Sequence, residues 1–245
     1  MEIIAHRGAS HDAPENTLAA VRLAWEQGAD AVEVDVHCSR DGRIVVIHDS
    51  WLRKLARCSG RVCNKTLVEL KALDVGLWKG RQWAGERIPT LDEILEMIPG
   101  GKRLFVEIKC SVESVSELQR AVERTGASPK SIVIIGFSLA TMTEVKRVLP
   151  ELEVCWIVER KRDFRTGKWR PVADFATARA REAGLDGVDM GVRGLHTDFV
   201  EQIKAVKLKC YVWTVDSPFV AARLIHAGID GVTTNRPGWL RQQLR

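Results

Sequence analysis

The sequence predicts an α/β fold of the (β/α)8 barrel type, on three observations. Eight short apolar, β-branched runs are spread over the whole chain. A stretch of helical pattern follows each of them, which is the alternation a parallel sheet needs. The length, 245 residues, suits a barrel of eight such units. An open doubly wound sheet is the competing arrangement of the same elements.

The strands are expected at 3–5 (IIA), 31–36 (AVEVDV), 104–108 (LFVEI), 132–135 (IVII), 154–158 (VCWIV), 185–190 (LDGVDM), 210–215 (CYVWTV) and 231–234 (GVTT). Helices are expected at about 16–27, 91–98, 112–125, 139–149, 173–183, 197–206, 217–227 and 237–244. A ninth run, 44–47 (IVVI), does not fit this count. Asp41-Gly42 precedes it, and Asp-Gly is a two-residue hairpin signal. The run therefore reads as a hairpin return on the second strand, with Arg40 opposite Arg43 and Asp35 opposite His48. Residues 50–89 have weak periodicity and read as an insertion over the barrel mouth, within a single domain spanning 1–245. Thr90 is placed to cap the next helix, with Glu93 completing a capping box. Residues 159–171 (ERKRDFRTGKWRP) read as a basic loop on the same side. No internal repeat is expected beyond the βα alternation.

Composition narrows the function classes. Apolar residues make up 45% and charged residues 28%, as in ordinary soluble domains. Ile3-Ile4-Ala5 is interrupted by His6 and Arg7, so no secretory signal is read and a cytoplasmic location is expected. No run approaches the roughly 20 apolar residues of a membrane span, so stable membrane insertion is not expected. The net charge of +5 favours anionic ligands. No recognised motif points to nucleic acid. The six cysteines show no metal-ligand spacing and read as reduced, mostly packing residues.

The chemistry sits at the strand ends. Glu33 and Asp35 are two apart, so both face one side of a strand. Glu107 and Lys109 repeat this spacing on the next barrel strand. Two carboxylates on one buried face need neutralising. A hard divalent cation, Mg²⁺ or Ca²⁺, would do so. An ion-pair network with Arg7 and Lys109 is the alternative. His6 and His48, each ending an apolar run near acids, are candidate proton carriers. Arg7 can grip a phosphate bidentately, and Lys109 can share that charge. Gly8 suits a tight turn after the first strand. All these residues lie late in their runs, so a barrel would gather them at its C-terminal mouth. Trp213 and Phe137 could wall the same mouth, with barrel packing as the plainer reading. The other histidines, His11, His37, His196 and His226, read as surface or packing residues.

The chain resembles the glycerophosphodiester phosphodiesterase family, whose TIM barrel is of the phospholipase-C-like type. The resemblance rests on His6-Arg7-Gly8, Ala13-Pro14-Glu15-Asn16-Thr17, Glu33 with Asp35, Asp41-Gly42, His48-Asp49, Glu107-Ile108-Lys109 and Trp213-Thr214-Val215. It implies hydrolysis of a glycerophosphodiester to sn-glycerol 3-phosphate and an alcohol. It implies a divalent metal held by Glu33, Asp35 and Glu107, with His6 and His48 as general base and general acid. It also implies phosphate contacts from Arg7 and Lys109, and the glycerol 2-hydroxyl as internal nucleophile. The sequence departs from the family at Gly136 (commonly Ser), Asp216 (commonly Asn) and Asn235 (commonly Asp), positions expected to lie away from the catalytic set. Two other activities fit the same residues. Lysophospholipids could be cleaved in phospholipase D fashion, which the basic loop and Trp78, Trp83 and Trp169 motivate. A barrel that only binds phosphodiesters is the non-enzymatic reading.

Overall fold

Period-two alternation in the β-branched runs gives every strand one face toward the barrel axis and one toward the helices. The computed structural model describes residues 1–53 and 58–245. Its strands are β1 (Glu2–His6), β2 (Ala31–Cys38), β3 (Ile44–Val46), β4 (Arg103–Ile108), β5 (Ile132–Gly136), β6 (Glu153–Val158), β7 (Lys161–Arg162), β8 (Trp169–Arg170), β9 (Gly187–Gly191), β10 (Lys209–Trp213) and β11 (Gly231–Thr234). The order β1-β2-β4-β5-β6-β9-β10-β11 closes back on β1, with every one of these pairings parallel. This is the closed eight-stranded barrel, not the open sheet.

Inside the barrel, Ile4, Ala31, Phe105, Val133, Ile135, Cys155, Ile157 and Tyr211 form one apolar cluster. Their chain neighbours, such as Val32, Leu104, Val106, Ile134 and Val154, face outward into the larger core beneath the helices. The N-terminal end is closed by charge. Arg103 donates to Glu2 at 3.0 Å and to Glu153 at 2.7 Å, and the Tyr211 hydroxyl donates to Glu153 at 2.6 Å.

A short repeat recurs at that end, contrary to expectation. Gly28-Ala29-Asp30, Gly184-Leu185-Asp186 and Gly228-Ile229-Asp230 each run from a helix end into a strand. The glycine is left-handed in all three, at φ 77°, 67° and 86°. The aspartate then accepts the first free N–H of the adjacent strand: Ile3 at 3.0 Å, Val154 at 2.8 Å and Cys210 at 2.8 Å. A cation from a neighbouring helix completes each, namely Arg241, Lys146 and Lys204. Three residues is too short a unit to stand out in a sequence dominated by the βα period.

The hairpin return is present, but its register is one residue from the expected one. Val36 pairs with Val46 and Cys38 with Ile44, and the Ile47 N–H donates to the Asp35 carbonyl. The turn has three residues rather than two. The Gly42 N–H bonds the Ser39 carbonyl, and the Ser39 N–H closes on Arg43 with Gly42 left-handed at φ 75°. His48 therefore lies beyond the residue paired with Asp35. The inserted segment builds its own small core, in which Val45 and Ile47 pack with Leu52, Val62, Leu70, Val75 and Ile88. Its portion at 54–57 lies outside the described residues. It holds a short helix, Leu67–Lys71, that weak periodicity concealed. Thr90 and Glu93 form the expected capping box on Leu91–Leu95. The basic loop folds into the β7–β8 hairpin with Phe164 fully exposed at its turn. Cys155 and Cys210 are buried as expected of packing residues, whereas Cys63 is exposed. Among the described residues, no helix is long and apolar enough to cross a membrane.

Candidate active site

The inward parity that fills the barrel with apolar groups turns polar at the strands' C-terminal ends. Ile4 is followed by His6, Ala31 by Glu33 and Asp35, and Phe105 by Glu107 and Lys109. Register sets them level, with His6 beside Glu33 and Asp35 beside Glu107. Around the rest of the mouth stand Ile135, Phe137, Ile157, Asp189, Trp213 and Thr233. All of these mouth residues except the fully buried Asp35 line a cavity of about 280 Å³, together with Arg7 and His48.

The first turn needs unusual backbone. Arg7 and Asn16 are left-handed at φ 56° and 59°, a cost that residues other than glycine bear only when held in place. The Arg7 N–H donates to Glu33 at 2.9 Å, and the Asn16 N–H donates to the Arg7 carbonyl at 3.0 Å. Gly8 follows at φ 79°, and a Cβ there would come within 2.5 Å of the Ala20 carbonyl carbon. Glycine thus lets the strand end pack directly on the helix Leu18–Glu26, which Thr17 caps.

One oxygen from each of Glu33, Asp35 and Glu107 lies within 4.8 Å of the others, and all three residues are buried. Asp35 meets Arg7 Nε at 3.1 Å and Lys109 Nζ at 3.1 Å. Asn16 also grips it, donating through Nδ2 at 2.9 Å and accepting the Asp35 N–H at 3.1 Å. Lys109 Nζ is 2.5 Å from Glu107, while Arg7 donates to Glu15 at 2.9 Å. Burial raises the Asp35 pKa, but Lys109 and Arg7 outweigh it and hold the carboxyl down at about 2. Burial, and then the charge of Asp35, push Glu107 up to about 7. Glu33 is raised well above the usual range by burial and by both neighbouring acids. The protein's own cations therefore pair Asp35 twice and Glu107 once, whereas Glu33 takes only the Arg7 N–H. Among the described residues, Glu33 Oε1 has no hydrogen-bond partner. An all-oxygen donor set with a buried, unpartnered oxygen fits a hard divalent cation.

The two histidines have different partners. His6 Nδ1 is 2.7 Å from Asn235 Oδ1, and Asn235 Nδ2 donates to Asp216 at 2.7 Å. A carboxylate only accepts, which fixes the amide orientation and makes His6 Nδ1 the donor. The free Nε2 lies 4.0 Å from Glu33. Burial and then Arg7 lower the His6 pKa, so the ring is neutral near pH 7. His48 Nδ1 lies 2.8 Å from Asp49 Oδ1. The His48 carbonyl bonds His37 Nε2 at 2.9 Å, a contact that the sequence context of His37 did not suggest. Trp213 and Phe137 meet edge to face, with centroids 6.0 Å apart, and Lys109 lies 5.9 Å from the Phe137 ring centre.

Two departures from the family pattern do reach this site. Asn235 touches His6 directly and Asp216 holds Asn235, contrary to the expectation that they lie apart. A contact across the closing strands β1 and β11 is invisible along the chain, where 229 residues separate the pair. The polar roles of Glu15 and Asn16 were likewise missed, although their motif was legible. Asp189 was also passed over. Its inward parity in LDGVDM was the available signal.

A family model described as the glycerophosphoryl diester phosphodiesterase family matches residues 6–239. The chain belongs to this family. It is 33% identical to a glycerophosphodiester phosphodiesterase of Caldanaerobacter subterraneus subsp. tengcongensis, over 99% of this chain and 97% of that protein. A Bacillus subtilis glycerophosphodiester phosphodiesterase is 27% identical, over 96% of this chain and 83% of that one. Among solved structures, an Oleispira antarctica phosphodiesterase in complex with its product sn-glycerol-3-phosphate superposes with a TM-score of 0.89. It is 29% identical and covers 100% of this chain and 96% of that one. The expectations of a barrel and of an enzyme of this family are met.

Proposed function

We propose that the protein hydrolyses glycerophosphodiesters to sn-glycerol 3-phosphate and an alcohol, with a divalent cation, Mg²⁺ or Ca²⁺, held by Glu33, Asp35 and Glu107. The observation that carries this reading is the convergence of two differently partnered histidines and three clustered carboxylates at one barrel mouth. The product bound by the Oleispira relative points to the same substrate class.

Bound among these acids, the cation would neutralise phosphate charge and make the glycerol 2-hydroxyl easier to deprotonate. Arg7 and Lys109 would hold the phosphate oxygens, and Trp213 with Phe137 would pack against the glycerol carbons. Neutral His6 takes the 2-hydroxyl proton on Nε2 as that oxygen attacks phosphorus. The bond from phosphorus to the alcohol oxygen breaks, and His48 gives that oxygen its proton. Asp49 offers the protonated His48 ring an anionic partner. His48 then removes a proton from water, whose oxygen opens the cyclic phosphate. His6 returns its proton to the 2-oxygen, so both rings end as they began. Holding the nucleophile within the substrate supplies proximity without a second binding event.

The test is turnover of a panel of water-soluble glycerophosphodiesters and lysophospholipids with Mg²⁺ or Ca²⁺, read as glycerol 3-phosphate or lysophosphatidic acid released. Release of glycerol 3-phosphate is expected. Binding of diesters without turnover in metal-replete protein would overturn the enzymatic reading.

A further inference from the structure

Asp189 lies in the middle of β9, level with Ile157 on one side and Tyr211 on the other. Its neighbours Val188 and Met190 face the outer core, so its own side chain faces the barrel interior. It is 2% exposed and lines the cavity. Among the described residues, Oδ1 has no hydrogen-bond partner and no cation pairs with the carboxyl. The surrounding wall is apolar: Ile135, Phe137, Ile157 and Trp213. It does not belong to the three-carboxylate cluster. A lone buried carboxyl is unfavourable unless something else meets its hydrogen bonds. Here the group that can do so is whatever fills the cavity.

The chemistry of that partner follows from the surroundings. Burial, and then the charge of Glu107, raise the Asp189 pKa well above the usual range. A carboxyl in this apolar wall can accept an alcohol O–H and, where protonated, donate to the same oxygen, which matches an alcohol hydroxyl rather than an anion. On the proposed function, the 2-hydroxyl must face His6 and the acids on β1, β2 and β4. The far wall is then left to the other end of the glyceryl group. We propose that Asp189 binds the terminal free hydroxyl of the glyceryl group and so selects polyol phosphodiesters over those of simple diols.

This rests on the phosphodiesterase reading, and the experiment separates the two. Metal-replete enzyme is assayed on a glyceryl phosphodiester and on the matching propane-1,2-diol diester, which lacks only the terminal hydroxyl. The wild type is expected to favour the glyceryl compound in kcat/KM by about tenfold or more. Asp189→Leu should reduce that preference to within about threefold, through loss on the glyceryl compound. Asp189→Asn, whose amide also donates and accepts, should keep most of it. An equal fall on both substrates, a preference intact in Asp189→Leu, or Asp189→Asn behaving like Leu would each overturn the proposal. A wild type that turns over neither substrate would sink the phosphodiesterase reading instead. The subsite is then judged by calorimetric binding of sn-glycerol 3-phosphate against propane-1,2-diol 1-phosphate. Equal affinities would refute it, as they would if Asp189→Leu failed to fold.

Discussion

Asn235 Oδ1 lies 2.7 Å from His6 Nδ1, so an amide rather than a carboxylate orients the candidate base. The carboxylate stands one step further, on Asp216. Exchanging the two, in the double variant Asp216→Asn with Asn235→Asp, keeps the charge count and brings the anion onto the ring. An adjacent anion favours imidazolium, so His6 will keep its proton to higher pH. The acidic limb of the kcat/KM profile should move upward in pH. A profile with an unmoved acidic limb would show that His6 is not the titrating base.

Replacing either histidine should remove activity and spare the fold. His6→Ala and His48→Ala are each expected to lower kcat by about 10²–10⁴. The melting temperature should change little, because both rings lie at the cavity rim and not in the apolar core. Near-full turnover by either variant would remove that residue from the mechanism.

Chelation should abolish turnover, and added Mg²⁺ or Ca²⁺ should restore it. The pH dependence of metal affinity follows from the acids. With Glu107 raised to about 7 and Glu33 raised as well, a cation must displace protons to bind. Affinity should therefore fall as pH drops through about 7, and binding should release protons. Calorimetry in buffers of different ionisation enthalpy measures that release. Glu33→Gln should weaken binding and reduce the proton count. Proton-neutral binding at pH 7 would contradict the assigned ligands.

Asp230 ties β10, β11 and the helix Thr197–Ala205 together, and it should shape stability in acid. Burial raises its pKa, but Lys204, the Cys210 N–H and Lys209 outweigh it and the net shift is downward. A depressed folded pKa means the contribution is complete above the unfolded value, about 3.9, and is lost as pH falls through the folded one. Asp230→Asn should cost about 1–3 kcal/mol at pH 7. It should also flatten the fall in melting temperature below about pH 4. Wild-type and variant curves that stay parallel down to pH 3 would refute this.

The barrel was legible because each strand is a β-branched run and each helix a separate periodic stretch. The carboxylate set was legible because spacing of two on a strand is a local rule, so Glu33, Asp35, Glu107 and Lys109 could be placed from the chain alone. Contacts that depend on closure could not be read that way. His6 meets Asn235 only because β11 returns to β1, and Asp189 faces the acids only across the barrel axis. The hairpin register was missed for a smaller reason. Asp41-Gly42 suits a two-residue turn and a three-residue turn alike with Gly42 left-handed in both, and the choice rests on Asp41, which a two-residue type I′ turn would need left-handed and which is not.

The small core beneath the insertion has a consequence for how the enzyme would fail. His48 follows Ile47 directly, and Ile47 packs among Leu52, Val62, Leu70 and Ile88 rather than in the barrel interior. One candidate proton carrier thus stands next to a minor apolar core, while the other, with the acids, stands on the barrel itself. A core of this size can open independently and at lower free energy than the whole. On warming, catalysis would cease while the barrel still gave a native spectrum, and cooling would revive it without any refolding of the scaffold.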